Sequence, residues 1–176
     1  MKHYFFWAVV SILTLTSCSS NNVEKYRAGQ EQLNLQDFFS GNLVAHGIVK
    51  NRGGDVFRHF KAEIVANWQK TGTGTLNEIF WFDDGEIQKR VWTLVPQKDG
   101  SYQASANDVE GTAILRVSGN SIKMKYRLIV PLDDDTITVS VDDKMYLVAP
   151  NTIVNESSLS KFGFHVGAVT LSITKL

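Results

Sequence analysis

The chain has 176 residues with 18 basic and 18 acidic side chains, and it is 43% hydrophobic and 11% aromatic, the balance of one folded domain rather than of a disordered tail, a collagen or a polytopic membrane protein. Zero formal net charge provides no broad cationic field, which counts against nucleic acid as a partner. A single cysteine excludes a disulfide framework, and three prolines and 13 glycines among many Val, Ile, Thr, Phe and Trp favour strands over helices.

Behind Lys2, the stretch from Tyr4 to Thr16 carries no charge and is too short to span a bilayer. A positive start, an apolar middle and small residues before a cut describe a secretory signal. Leu15-Thr16-Ser17-Cys18 resembles the bacterial lipobox, which implies that residues 1–17 are cleaved and that Cys18 becomes the acylated first residue. The other reading of Cys18 is a plain apolar residue in a signal cut elsewhere. Ser19, where an Asp would retain the protein, is similar to the outer-membrane sorting pattern of Gram-negative lipoproteins. Acyl chains contribute ~0.8 kcal/mol per buried CH₂, so they form the expected attachment to the membrane. Residues 18–32 then read as the acylated N-terminus and a tether: Ser19, Ser20, Asn21 and Asn22 are polar, and Val23 to Gln32 has room for a turn or two of helix. The folded domain is expected over 33–176.

From Leu43 onward period-two alternation dominates. Phe60, Ala62, Ile64, Ala66 and Trp68 alternate with Lys61, Glu63 and Asn67; Ile122, Met124, Tyr126 and Leu128 alternate with Lys123, Lys125 and Arg127; Ile137, Val139 and Val141 and then Val169, Leu171 and Ile173 repeat the pattern. Turn formers separate the runs at Asn51 to Gly54, Asp83 to Gly85, Lys98 to Gly100, Gly119-Asn120 and Asp133 to Asp135. The expectation is an all-β, single antiparallel up-and-down barrel of about eight to ten strands, which suits short consecutive hairpins better than a sandwich does. Asn151 to Lys161 lacks clean alternation and is expected to be a short helical or loop segment before the last strand.

A barrel of this size is either filled or holds one small ligand. Small residues (Ala62, Ala66, Ala104, Ala106, Gly111, Ala113) fall inward with Phe60, Trp68, Phe80, Phe82, Trp92, Tyr102 and Tyr126, which either line a ligand site or interdigitate as core. Arg58 and Arg90 share the register of apolar neighbours and are expected either to bind a ligand carboxylate or phosphate, or to pair with a carboxylate of the chain itself such as Glu78, Glu86, Asp108 or Asp142, or to sit at the solvated barrel mouth. Asp142 and Asp143 form a candidate polar site, and alternation sends only one of them inward. No nucleophile elbow, P-loop or zinc motif occurs, so the reading is of a protein that is not an enzyme and needs no metal or cofactor.

The lipobox, Phe38-Phe39-Ser40-Gly41, Gly74-Thr75-Leu76-Asn77-Glu78, Asp84-Gly85-Glu86 leading into Arg90-Val91-Trp92, Asp142-Asp143 with Met145-Tyr146-Leu147, and Ser160 to Gly163 with Val169-Thr170-Leu171 together resemble the bacterial lipoproteins grouped as domain of unknown function 3833. The resemblance implies a lipocalin-like barrel and lipid handling, and it transfers no catalytic residue. The expectation is thus an outer-membrane lipoprotein facing the periplasm that binds a fatty acid or phospholipid derivative. The alternatives are a non-catalytic adaptor of an envelope complex and, third, an enzyme acting on modified lipids. Oligomeric state is open.

Overall fold

The computed structural model describes residues 32–132 and 135–176. Cys18, the signal before it and the stretch from Val23 to Glu31 lie outside the described residues, as do Asp133 and Asp134. One helical turn and ten strands follow in order: α1 (Leu35–Phe38), β1 (Gly41–Asn51), β2 (Val56–Trp68), β3 (Gly74–Phe82), β4 (Ile87–Pro96), β5 (Tyr102–Ser105), β6 (Ala113–Ser118), β7 (Ser121–Pro131), β8 (Thr136–Ala149), β9 (Thr152–Lys161) and β10 (Phe164–Lys175). Each strand pairs antiparallel with the next and β10 closes on β1, so the sheet is the expected single up-and-down barrel and leaves no free edge.

Alternation decides which side of the wall each residue takes. On β2, Phe60, Ala62, Ile64 and Ala66 are buried while Lys61, Glu63, Val65 and Asn67 are exposed. Turn chemistry sets the register. Gly119, at φ +58° in the first central position of the two-residue link between β6 and β7, supplies the backbone that matches the strand twist.

Asn151 to Lys161 corrects the sequence expectation, because Thr152–Lys161 is a full strand, β9, paired on both sides. Its inward face reads Ile153, Asn155, Ser157 and Leu159, and the two polar members interrupt the apolar signal. They belong inside because a carboxylate on β8 binds them, as described below.

The two ends of the barrel differ. At one end α1 acts as a plug: Asn34 caps it by accepting from the N–H groups of Gln36 (3.1 Å) and Asp37 (3.3 Å), and Leu33, Leu35, Phe38 and Phe39 are buried beneath. The Trp68 indole donates to the Phe39 carbonyl at 2.5 Å, the Gln36 amide donates to the Tyr102 hydroxyl at 3.1 Å, and Lys175 Nζ donates to the Asp37 carbonyl. Gly74 lies under the Trp68 ring, where a Cβ would stand 2.5 Å from a ring carbon. The opposite end carries the connections 52–55, 83–86, 106–112 and 162–163 and has no plug among the described residues. There β5 stops after four residues, and Asn107 extends the edge of β4 with its side chain, accepting from Val91 N (2.8 Å) and donating to Lys89 O (3.1 Å). Asp108, the next residue, is thereby brought over the interior.

Candidate functional site

Ten strands make a wider barrel than eight, and the width is only partly filled. A cavity of about 190 Å³ lies between the plug and the open end. Ala45, Ala62, Ile64, Phe60, Phe80, Met124, Val141 and Ile173 form its apolar wall, and Val49, Phe82, Leu128, Leu159 and Val169 carry it toward the open end. Drug-sized ligands occupy about 300–1,000 Å³, so this space takes a head group or a short apolar segment with the remainder leaving through the open end.

Polar and charged residues face one another across the cavity: Glu78 from β3 and Arg90 from β4 on one side, and Tyr126 from β7, Asp143 from β8, and Asn155 and Ser157 from β9 on the other. Glu78 and Arg90 are direct partners across β3 and β4, with Arg90 Nη1 4.0 Å from the Glu78 carboxylate. Arg90 is already engaged from above, where Nε lies 3.0 and 2.8 Å from the two Asp108 oxygens and Nη2 lies 2.8 Å from Oδ2. Its guanidinium also sits 5.4 Å from the Phe80 ring centre and 5.9 Å from that of Trp92. Across the cavity Asp143 accepts from Asn155 Nδ2 (2.5 Å) and Ser157 Oγ (2.6 Å). Tyr126 packs edge-on against Trp92 with centroids 5.3 Å apart.

The burial of these groups moves their proton affinities. Burial pushes the Glu78 carboxyl up to about 7; Arg90 pulls it back, while Asp108 and Asp143 push the same way as burial. Asp143 is also raised by burial, against the lowering effect of its Ser157 and Asn155 hydrogen bonds. Tyr126 is raised by burial and by the negative charge of Asp143. Burial alone would lower Arg90, but the ionisable groups around it and its Asp108 hydrogen bonds outweigh that and raise it. The arrangement holds several hydrogen-bond acceptors around one cation, already paired with Asp108, in a buried space.

Of the residues singled out from sequence, Arg90, Phe60, Phe80, Phe82, Trp92, Tyr126 and Asp143 meet in this cavity. Four do not line it. Trp68 and Tyr102 point inward as alternation requires, but they stack edge-on 5.9 Å apart at the plugged end, tied to α1. Asp142 is turned to the other face of the wall, where Lys125 Nζ stands 3.1 Å from it. Arg58 sits at the open rim, bound to Glu86 and to Asp84 (Nη2 to Oδ1 2.8 Å), with its guanidinium 3.7 Å above the Phe82 ring centre. Both arginines thus meet carboxylates of the chain itself. Among the small residues, Ala62 faces the cavity and Ala66, Ala104 and Ala113 are buried in the core, whereas Gly111 is exposed in the connection before β6 at φ +71°. It is a turn residue rather than a wall residue.

Asn155 and Ser157 are the site residues that sequence reasoning missed. Their shared parity with Ile153 and Leu159 was the available signal. Among the described residues, no cluster of His, Cys, Asp and Glu is arranged to hold a metal ion.

The fold is similar to that of the S-type phycobiliprotein lyase CPES from Guillardia theta, with a TM-score of 0.57 at 9% identity over 80% of this chain and 91% of that one. At that identity the likeness is one of fold alone, a lipocalin-like barrel. No curated protein matches the sequence. The family model described as protein of unknown function (DUF3833) matches residues 12–175, and the chain belongs to that family.

Proposed function

We propose that this protein is an outer-membrane lipoprotein, held through Cys18, whose periplasmic barrel binds an amphipathic small molecule of the fatty-acid or phospholipid-derivative class. The observation that carries the binding reading is the cavity itself: an apolar wall, polar groups facing one another across it, and an end without a plug among the described residues. Apolar surface removed from water contributes about 25 cal/mol per Å², which favours an acyl segment along Phe60, Phe80 and Phe82, while the polar groups fix its orientation. The lipobox and Ser19 support the anchor and its outer-membrane destination. Binding here is sequestration, with no bond made or broken.

The test compares wild type with Cys18→Ser in a Gram-negative host. Wild type should incorporate labelled acyl chains and sediment with outer membranes, and the variant should do neither. Mass spectrometry of the released variant, purified from the envelope without detergent, should find a stoichiometric amphiphile. No acylation removes the lipoprotein reading, and an empty barrel removes the carrier reading. The adaptor reading has its own support in Phe57, Phe162 and Phe164, which are 61%, 89% and 68% exposed around the open end and form an apolar rim suited to a partner protein. An empty barrel would leave that rim as the functional surface.

A further inference from the structure

Within the proposed binding site, the charges decide which end of an amphiphile the barrel reads. Among the described residues, Arg90 is the one cation lining the cavity, and Asp108 occupies its Nε and Nη2 at 2.8 to 3.0 Å. The second inward arginine, Arg58, is spent on Asp84 and Glu86 at the rim. Against Arg90 stand three carboxylates, Glu78, Asp108 and Asp143, which act electrostatically on one another and on Tyr126. Asp143 has two donors of its own in Asn155 and Ser157. Glu78 differs. Its side chain keeps 12% of its surface accessible, it lines the cavity, and the closest cationic atom to it is Arg90 Nη1 at 4.0 Å, beyond hydrogen-bond reach. An incoming carboxylate or phosphate would add a further anion beside three carboxylates and would meet an arginine already paired with Asp108, with only its Nη1 left, facing Glu78. An ammonium or hydroxyl would find an acceptor without a donor.

We infer that the cavity selects amphiphiles whose buried polar end is a hydrogen-bond donor, an ammonium or a hydroxyl, with Glu78 as the accepting group. This rests on the binding function proposed above and narrows its ligand class away from free fatty-acid anions toward amino or hydroxy lipids. Tyr126, which lines the same cavity from β7, has a hydroxyl able to complete the contact. Arg90 takes a positioning role, holding Asp108 over the site and setting the field at Glu78.

The test uses three probes of one chain length, octylamine, 1-octanol and octanoate, titrated calorimetrically into the mature chain carrying Cys18→Ser, which removes the acyl anchor and keeps every other residue from 18 on. At pH 7.5 octylamine should bind about tenfold or more tighter than octanoate, as befits a hydrogen bond to a charged group, with octanol between them. Adding Glu78→Gln should collapse the amine-to-carboxylate ratio by about the same factor. The wild-type ranking decides the matter even where that variant folds poorly. Octanoate binding as tightly as octylamine, or a ratio unchanged by Glu78→Gln, overturns the inference while leaving amphiphile binding in place. No binding of any of the three overturns both.

Discussion

Replacing Glu78 with glutamine keeps the size and hydrogen-bonding capacity of the side chain and removes a carboxyl that titrates inside the barrel. In the folded chain that carboxyl protonates at about 7, against 4.5 for the free group, chiefly because burial disfavours its charge. The displacement corresponds to about 3 kcal/mol of folding free energy. Its sign follows from proton counting. Between pH 4.5 and 7 the folded chain keeps a proton that the unfolded chain has released, so stability falls as pH rises through this window and levels off above it. Asp143, also raised, adds a fall of the same sign that survives in the variant, while Asp84, Glu86 and Asp99 are lowered by their partners and lose stabilisation only on acidification. The difference between wild type and Glu78→Gln therefore isolates Glu78. Urea unfolding at pH 4.5 should give similar stabilities for the two. By pH 8 the variant should be about 3 kcal/mol more stable, a midpoint separation of about 1.5 M urea or about 10 °C in Tm. A constant difference across pH, or a wild type that gains stability relative to the variant on going from pH 5 to 7, would mean that Glu78 is hydrated and that the cavity is not dry.

Two further substitutions test other parts of the architecture. Arg90→Met should cost about 3–5 kcal/mol, because it strands Asp108 and Glu78 over a low-dielectric space, whereas Arg58→Met should cost about 1 kcal/mol or less because Asp84 and Glu86 are open to water. Equal losses in urea titrations would contradict the assignment of one arginine to the interior and the other to the rim. Gly47→Ala would place a Cβ 2.3 Å from the Phe60 ring and 2.8 Å from Leu171 Cβ, and should cost about 1–3 kcal/mol while driving Phe60 into the cavity. An unchanged stability together with unchanged octylamine binding would show that this wall is not packed as described.

Much of the barrel was legible because a wall with one wet and one dry face leaves a period of two, and because hairpins carry their own turn residues. Ile122 to Leu128 and Val169 to Ile173 announce their strands in this way. The same logic placed Arg90 and Tyr126 inward and allowed only one of Asp142 and Asp143 inside, which the structure shows to be Asp143. It failed at β9, where Asn155 and Ser157 face the Asp143 carboxylate of the neighbouring strand and, being polar, interrupt the apolar alternation between Ile153 and Leu159. It also could not separate residues by height along the barrel. Phe60 and Trp68 share one face of β2, yet one lines the cavity and the other seals the plug.

By itself the sequence determined the strand count to within two, the closure of the meander and the inward face of the regularly alternating strands, because these are encoded in short-range spacing and turn residues. The tertiary structure decided what that spacing cannot carry. It brought Asp108 from a connection onto Arg90, seated α1 under one end, and set Glu78 beside an arginine already paired with Asp108. Alternation is a one-dimensional signal that says in or out. Partnership among buried charges depends on which strands neighbour one another around the barrel and at what height, and only the closed sheet fixes those.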